Sequence, residues 1–207
     1  MTKDGFEWYA VRFICPNVED KDELVDIQLK LMDFAEYEVE KMNRWYCSMY
    51  RTDHMEIPDI RMYFEVPEEE IPALILQINK MQSKDLLISD DSPVLPDKID
   101  DRQINSAMIG SRIAHNLLEQ FPTEKDRNDW RYKDRLFSDL SYLVARGDGP
   151  AMHFVYNNLY LDDAGMGEWL IDSYKKAIRR VEFWSGKRKV REWFLNLIGK
   201  GLTDSIV

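Results

Sequence analysis

Trp8-Tyr9-Ala10-Val11-Arg12-Phe13-Ile14-Cys15 is aromatic and β-branched, alternates in character and stops at Pro16-Asn17. That is the pattern of a strand burying one face fully and the other in part. Working outward, Asp20 to Asn43 carries Leu24, Ile27, Leu31, Phe34, Ala35, Val39 and Met42 at three-to-four spacing among acidic residues, which predicts a long amphipathic helix. Trp45 to Arg51 and Ile57 to Val66 then read as two antiparallel strands joined by a short connection containing His54. Pro67-Glu68-Glu69-Glu70 opens a second helix, its carboxylates suited to the positive end of the helix dipole, with Ile71, Leu74, Ile75, Ile78 and Met81 as the buried stripe. Leu86-Leu87-Ile88 offers a fourth strand. This order predicts a ferredoxin-like antiparallel sheet unit over residues 1–96, with both helices on one face.

Strand signals vanish after Ser89-Asp90-Asp91-Ser92-Pro93-Val94-Leu95-Pro96, a proline-rich and acidic connection. Ile104 to Phe121, Trp130 to Arg146, Ala151 to Leu161, Glu168 to Trp184 and Val190 to Ile198 all carry helical periodicity, separated by Pro122 and by glycine-bearing breaks. Residues 97–207 therefore form a helical unit, packed with the first into one α+β body. Leu117, Phe121, Leu136, Leu140, Leu143, Leu170 and Ile178 are its expected buried positions.

The chain has 207 residues, 44% of them hydrophobic, enough for a core that needs neither disulfide nor metal. Its net charge of -10 argues against general nucleic-acid binding, since phosphate contacts would work against the overall field. The exception is a basic run of Lys175, Lys176, Arg179, Arg180, Lys187, Arg188, Lys189 and Arg191, either an anion-attracting surface or a solvated helix face balancing the acidic half. Cys15 and Cys47 form no CxxC pair, and neither a secretory segment nor a membrane-crossing apolar run is present. A cytoplasmic location is expected.

Chemistry concentrates in Pro150-Ala151-Met152-His153-Phe154-Val155-Tyr156-Asn157-Asn158, followed by Glu168. The chain has only three histidines, and His153 would lie near a helix start, where the dipole disfavours imidazolium. It reads either as a general acid or base or as a helix histidine bonded to neighbouring backbone. Asn157, four residues on, shares its face and can orient the ring or a substrate, while Glu168 can accept from the imidazole; either can equally cap a helix. His115, in an apolar helical stretch, reads as a core or interface histidine, and His54 as a solvated loop residue. No CxxC or HxxxH spacing supports a metal. Nor does a nucleotide-binding or nucleophile-elbow motif occur, so no cofactor is expected. The six tryptophans read as core. Arg12 and Arg61 stand on predicted strands among apolar neighbours, where an arginine must find a carboxylate or bind an anion.

Asp59-Ile60-Arg61-Met62-Tyr63-Phe64, together with Met152-His153-Phe154-Val155-Tyr156-Asn157-Asn158, resembles two motifs of the thiopeptide-type bacteriocin biosynthesis domain, related to the C-terminal elimination domain of lantibiotic dehydratases. The family's strand motif aligns its first arginine with Arg61 and its phenylalanine with Phe64; its helix motif aligns with His153 and Asn157, and the glutamate after it falls on Glu168. The order of elements agrees along nearly the whole chain. Four positions depart: the family's leading histidine is Asp59 here, its second arginine is Tyr63, its preceding Arg-Tyr pair reads Met49-Tyr50, and the asparagine-arginine pair ends in Asn158. These departures bear on anion recognition. The resemblance implies a domain that removes glutamate from glutamylated Ser or Thr side chains, or joins two dehydroalanines into a pyridine ring. In that reading His153, Arg61 and Arg12 are catalytic, and Asn157, Glu168, Asn158 and Tyr63 contact the modified peptide. A different class stands beside it: a non-catalytic binding module or complex subunit recognising an acidic peptide or another partner, favoured by the missing arginines.

Overall fold

A computed structural model describes residues 5–39, 43–50, 57–90 and 100–159, together with Asp172, Lys175, Lys176, Arg179 and Phe183. Strand β1 (Phe6–Ile14) leads to helix α1 (Lys21–Asp33), strands β2 (Arg44–Tyr50) and β3 (Asp59–Pro67), helix α2 (Ile71–Lys80) and a short β4 (Leu87–Ile88). The strand order is β2-β3-β1-β4 with every pairing antiparallel, so each helix carries the chain past one intervening strand, as in ferredoxin-like units.

Pleating sorts the residues into two faces. Val11, Phe13, Trp45, Cys47, Met49, Ile60, Met62 and Phe64 join Leu24, Leu31, Leu74 and Ile78 of the two helices in the main core. Trp8, Ala10, Tyr46 and Tyr63 lie on the opposite face. The first helix is shorter than the sequence period suggests. Asp20 caps it, accepting from the amides of Asp22 and Glu23; after Asp33 the backbone widens into a π turn at Phe34–Glu38, and Val39 is extended. A wider turn keeps Phe34 and Ala35 buried and so prolongs the apolar pattern beyond the α-helix proper.

The later half is helical: α3 (Asp101–Gln120), α4 (Glu124–Arg127), α5 (Trp130–Arg146) and α6 (Gly149–Asn158). Gly147, at φ 69°, ends α5 in the left-handed conformation glycine tolerates. Asp148 then caps α6, accepting from Ala151 N and from the Ser106 hydroxyl. Leu117, Leu136, Leu140 and Leu143 are buried as expected. Phe121 is half-buried, edge-on to Tyr132. Leu170, Ile178, Glu168, His54, the strand-connecting residues 51–56, most of the two last helices expected and most of the basic run lie outside the described residues. Among the described residues no helix is long and apolar enough to cross a membrane.

Helix α3 crosses the outer edge of β2 and ties the halves together. Ile104 and Ala107 lie with the second-face aromatics, whereas Ala114, Leu117 and Leu118 reach the main core. At the crossing, the Ser111 hydroxyl accepts from Cys47 N at 3.0 Å and donates to Cys47 O at 2.9 Å. Asn158, fully buried, accepts from Met49 N at 3.1 Å and donates to Cys47 O at 2.9 Å. Two side chains thus supply the edge strand with the partners a neighbouring strand would give. Gly110 permits the close approach of α3 to α6: a Cβ there would collide with the Ala151 carbonyl and Phe154 Cβ.

Candidate functional site

Arg12 and Arg61 face each other across β1 and β3, and Asp59 lies two residues before Arg61 on the same face. The carboxylate is fully buried and receives both guanidinium groups: Arg12 Nε at 2.8 Å, and Arg61 Nη2 at 2.9 Å with Nε at 3.2 Å. Of the two fates open to such arginines, each has met a carboxylate, at the position where the family motif has its leading histidine. A second acid-arginine pair stands at the other end of the strand. Glu65, also fully buried, takes Arg44 through two bonds of 2.6 and 2.7 Å and is bonded by Asn43, while Arg44 lies over the Trp8 ring at 5.4 Å. Bidentate geometry of this kind offsets the desolvation of a buried charge.

Between the two pairs the second face is aromatic. Tyr63 stacks on Tyr46 with centroids 4.3 Å apart, and Phe154 of α6 meets Tyr46 edge-on at 5.8 Å. Tyr46, Phe154, Pro150, Ile104, Ala107 and Gln103 line a cavity of about 200 Å³. Ser48, two residues after Tyr46 and opposite Arg61, is buried, and its hydroxyl has no hydrogen-bond partner among the described residues. A serine on a strand gives no sequence signal for that.

His153 sits on the outer surface of α6, one residue before the cavity-lining Phe154, its ring edge-on to that phenylalanine at 6.1 Å. Its Nε2 lies 3.1 Å from the Asn157 amide nitrogen. With that amide donating, Nε2 is the acceptor and Nδ1 carries the proton. Desolvation lowers the pKa, a direction that leaves the imidazole neutral at pH 7. Asn158, expected against substrate, instead spends its amide on β2 and receives the buried Gln28 Nε2 at its carbonyl. Tyr63 is buried in the stack. The structure therefore groups Arg12 with Arg61 and His153 with Asn157, as two pairs on different elements.

His115 is buried, as expected, but it is not a purely apolar histidine: its Nε2 meets Asp33 Oδ1 at 2.7 Å and lies 3.9 Å from Glu119 Oε1. The i, i+4 pair His115 and Glu119 was the available sequence signal; Asp33 comes from another helix, and no spacing rule links it to them. Both cysteines are buried and free, and burial foremost pushes the Cys15 thiol to about 12 and raises that of Cys47 further, so neither supplies a thiolate. A groove of about 650 Å³ runs between α1 and α2 and is lined in part by Ile27, Lys30, Asp33, Gln77 and Met81, none of them a residue expected in catalysis.

No family model matches this chain, and neither a curated protein nor a solved structure matches it significantly.

Proposed function

We propose that the chain is a peptide-binding module that takes one apolar side chain of its ligand into the cavity between Tyr46 and Phe154, with His153 and Asn157 contacting the ligand backbone beside it. The cavity carries this reading. At about 200 Å³ it is smaller than the roughly 300–1,000 Å³ of small-molecule and cofactor sites, but suited to a single side chain of a longer ligand. Its aromatic wall is held in place by the Tyr46–Tyr63 stack, so little ordering cost falls on binding. A neutral imidazole and a carboxamide on the same helix, one residue before and three residues after Phe154, offer both donor and acceptor to a peptide backbone.

A second reading, a lyase acting on glutamylated Ser or Thr, is favoured by one observation: His153 is solvent-accessible and neutral, as a general base must be. In that reaction Nε2 would exchange Asn157 for the substrate α-proton. The released electron pair would form the Cα–Cβ double bond, and glutamate would leave with the Cβ–O electrons.

Titration of the full chain with blocked peptides carrying one Phe or Leu among Ser and Glu, followed by amide chemical shifts, separates these readings. The module gives saturable shifts at Ala107, His153 and Phe154 that Ala107→Phe, by filling the cavity, abolishes; shifts that bypass Phe154 overturn it. Release of free glutamate from a glutamylated peptide, stopped by His153→Ala, would establish the lyase instead.

A further inference from the structure

The geometry points to a divalent transition-metal site, of the kind that takes zinc, formed by His115 and Glu119 of α3 with Asp33 at the end of α1. One ligand atom from each lies within 4.8 Å of the others. Donors about 2.0–2.2 Å from a tetrahedral zinc stand roughly 3.3 to 3.6 Å apart, and the observed separations from His115 Nε2, 2.7 Å to Asp33 and 3.9 Å to Glu119, bracket that spacing. An ion entering between them requires only small side-chain adjustments.

The donors are held unequally, which suits such a site. His115 is buried at 3% exposure, its ring edge-on to Trp45 at 6.0 Å and 6.2 Å from Tyr37. Nε2 of this rigid nitrogen donor therefore points at the two carboxylates. Asp33 and Glu119 are about half exposed, at 46% and 39% of their side chains, and Asp33 also lines the groove between α1 and α2, giving an ion and its water a route in. The π turn that follows Asp33 carries Glu36, which accepts at 2.6 Å from Nε1 of Trp45, the ring that His115 meets edge-on, and lies 3.7 Å from Arg112. Turns of this type are frequent at functional sites.

Charge favours a cation. Two carboxylates converge on one imidazole, and their field is felt nearby: Glu119 foremost, then desolvation, then Asp33 and Glu36, pushes the Tyr37 phenol upward. One nitrogen and two oxygen ligands leave a coordination position for water, the composition of an open rather than a closed structural zinc site. Bound there, the ion would join the end of α1 to α3, across the junction of the sheet unit and the helical half.

The test uses the full chain, stripped with chelator and titrated with zinc by calorimetry, with cobalt(II) absorption reporting geometry. One zinc per chain is expected, with a tetrahedral cobalt spectrum and a zinc-dependent rise in Tm. Asp33→Asn and Glu119→Gln, both at accessible positions, should each weaken zinc by about tenfold or more, a loss of the size seen on disturbing a metal's ligand shell. Asp26→Asn, an exposed acid of α1 paired with Lys30, should leave it unchanged. Absence of zinc binding overturns the site and leaves His115 as a hydrogen-bonding partner of Asp33; so does zinc binding undiminished in the Asp33→Asn/Glu119→Gln double variant.

Discussion

On one face of the sheet Phe13, Met62 and Phe64 meet helices α1 and α2 with no charged group among them; on the other, Trp8 and Tyr63 share the surface with Asp59 and Glu65, each fully buried and each held by arginine. The first face is stabilised by area removed from water and tolerates other apolar side chains of similar volume. Its partner is less forgiving. A one-residue slip of β3 would drive Asp59, Arg61 and Glu65 into the apolar core, so the acid-arginine pairs specify register where the apolar face supplies stability.

Removing half of a buried pair should give the largest loss. Asp59→Ala leaves two guanidinium groups facing one another across β1 and β3, and a cost of about 3 to 5 kcal/mol is expected in denaturant titration. Replacing Asp59, Arg12 and Arg61 together by apolar residues of similar volume should recover most of it; if the triple variant is as unstable as the single one, the pairs do more than fix register. On the helix-covered face Met62→Ala should cost about 2 to 5 kcal/mol through lost burial and the cavity left behind. A loss no larger than that of a surface substitution would erase the contrast between the faces.

A smaller effect is expected at the edge. Asn158→Ala strips the Met49 amide of its partner and the Cys47 carbonyl of one of its two, which should cost about 1 to 3 kcal/mol and speed hydrogen exchange at Met49 selectively. Smallest is His153→Ala, within about 0.5 kcal/mol of the parent at pH 7 as for other exposed positions. Its pH profile carries more information. Because the folded pKa of His153 is lowered, protonation favours the unfolded chain, so the parent loses stability as pH falls through the ordinary 6.5 of an unfolded histidine, a component the variant should lack. Identical acid limbs would show that the ring is not desolvated.

Residues that act with their sequence neighbours were legible. Helix α5 runs over Trp130–Arg146 as its periodicity demands, and β1, β3 and α2 fall within two to four residues of expectation, because pleat and helical period are local properties. Less visible was anything made by two elements meeting. Arg12 and Arg61 announce a need for an anion, yet only the register of β1 on β3 reveals that Asp59 meets it. Asn158 sits in the same short run as His153 and Asn157 and looks like part of one motif, but helical geometry turns it about 100° from Asn157, toward β2 rather than outward. His115, Asp33 and Glu119 assemble only once α1 and α3 pack.

The way β2 is sealed also has a consequence for how the protein is made. A strand edge covered by Ser111 and Asn158 is covered by residues from far later in the chain. The sheet unit leaves the ribosome first, and until α3 and α6 follow, the backbone of Cys47 and Met49 is an open template on a hydrophobic strand, available to the same edge of another nascent chain. Mature protein is protected from strand addition by two small polar side chains, whereas truncation before α6 should yield a product whose solubility, rather than its secondary structure, is the first property to fail.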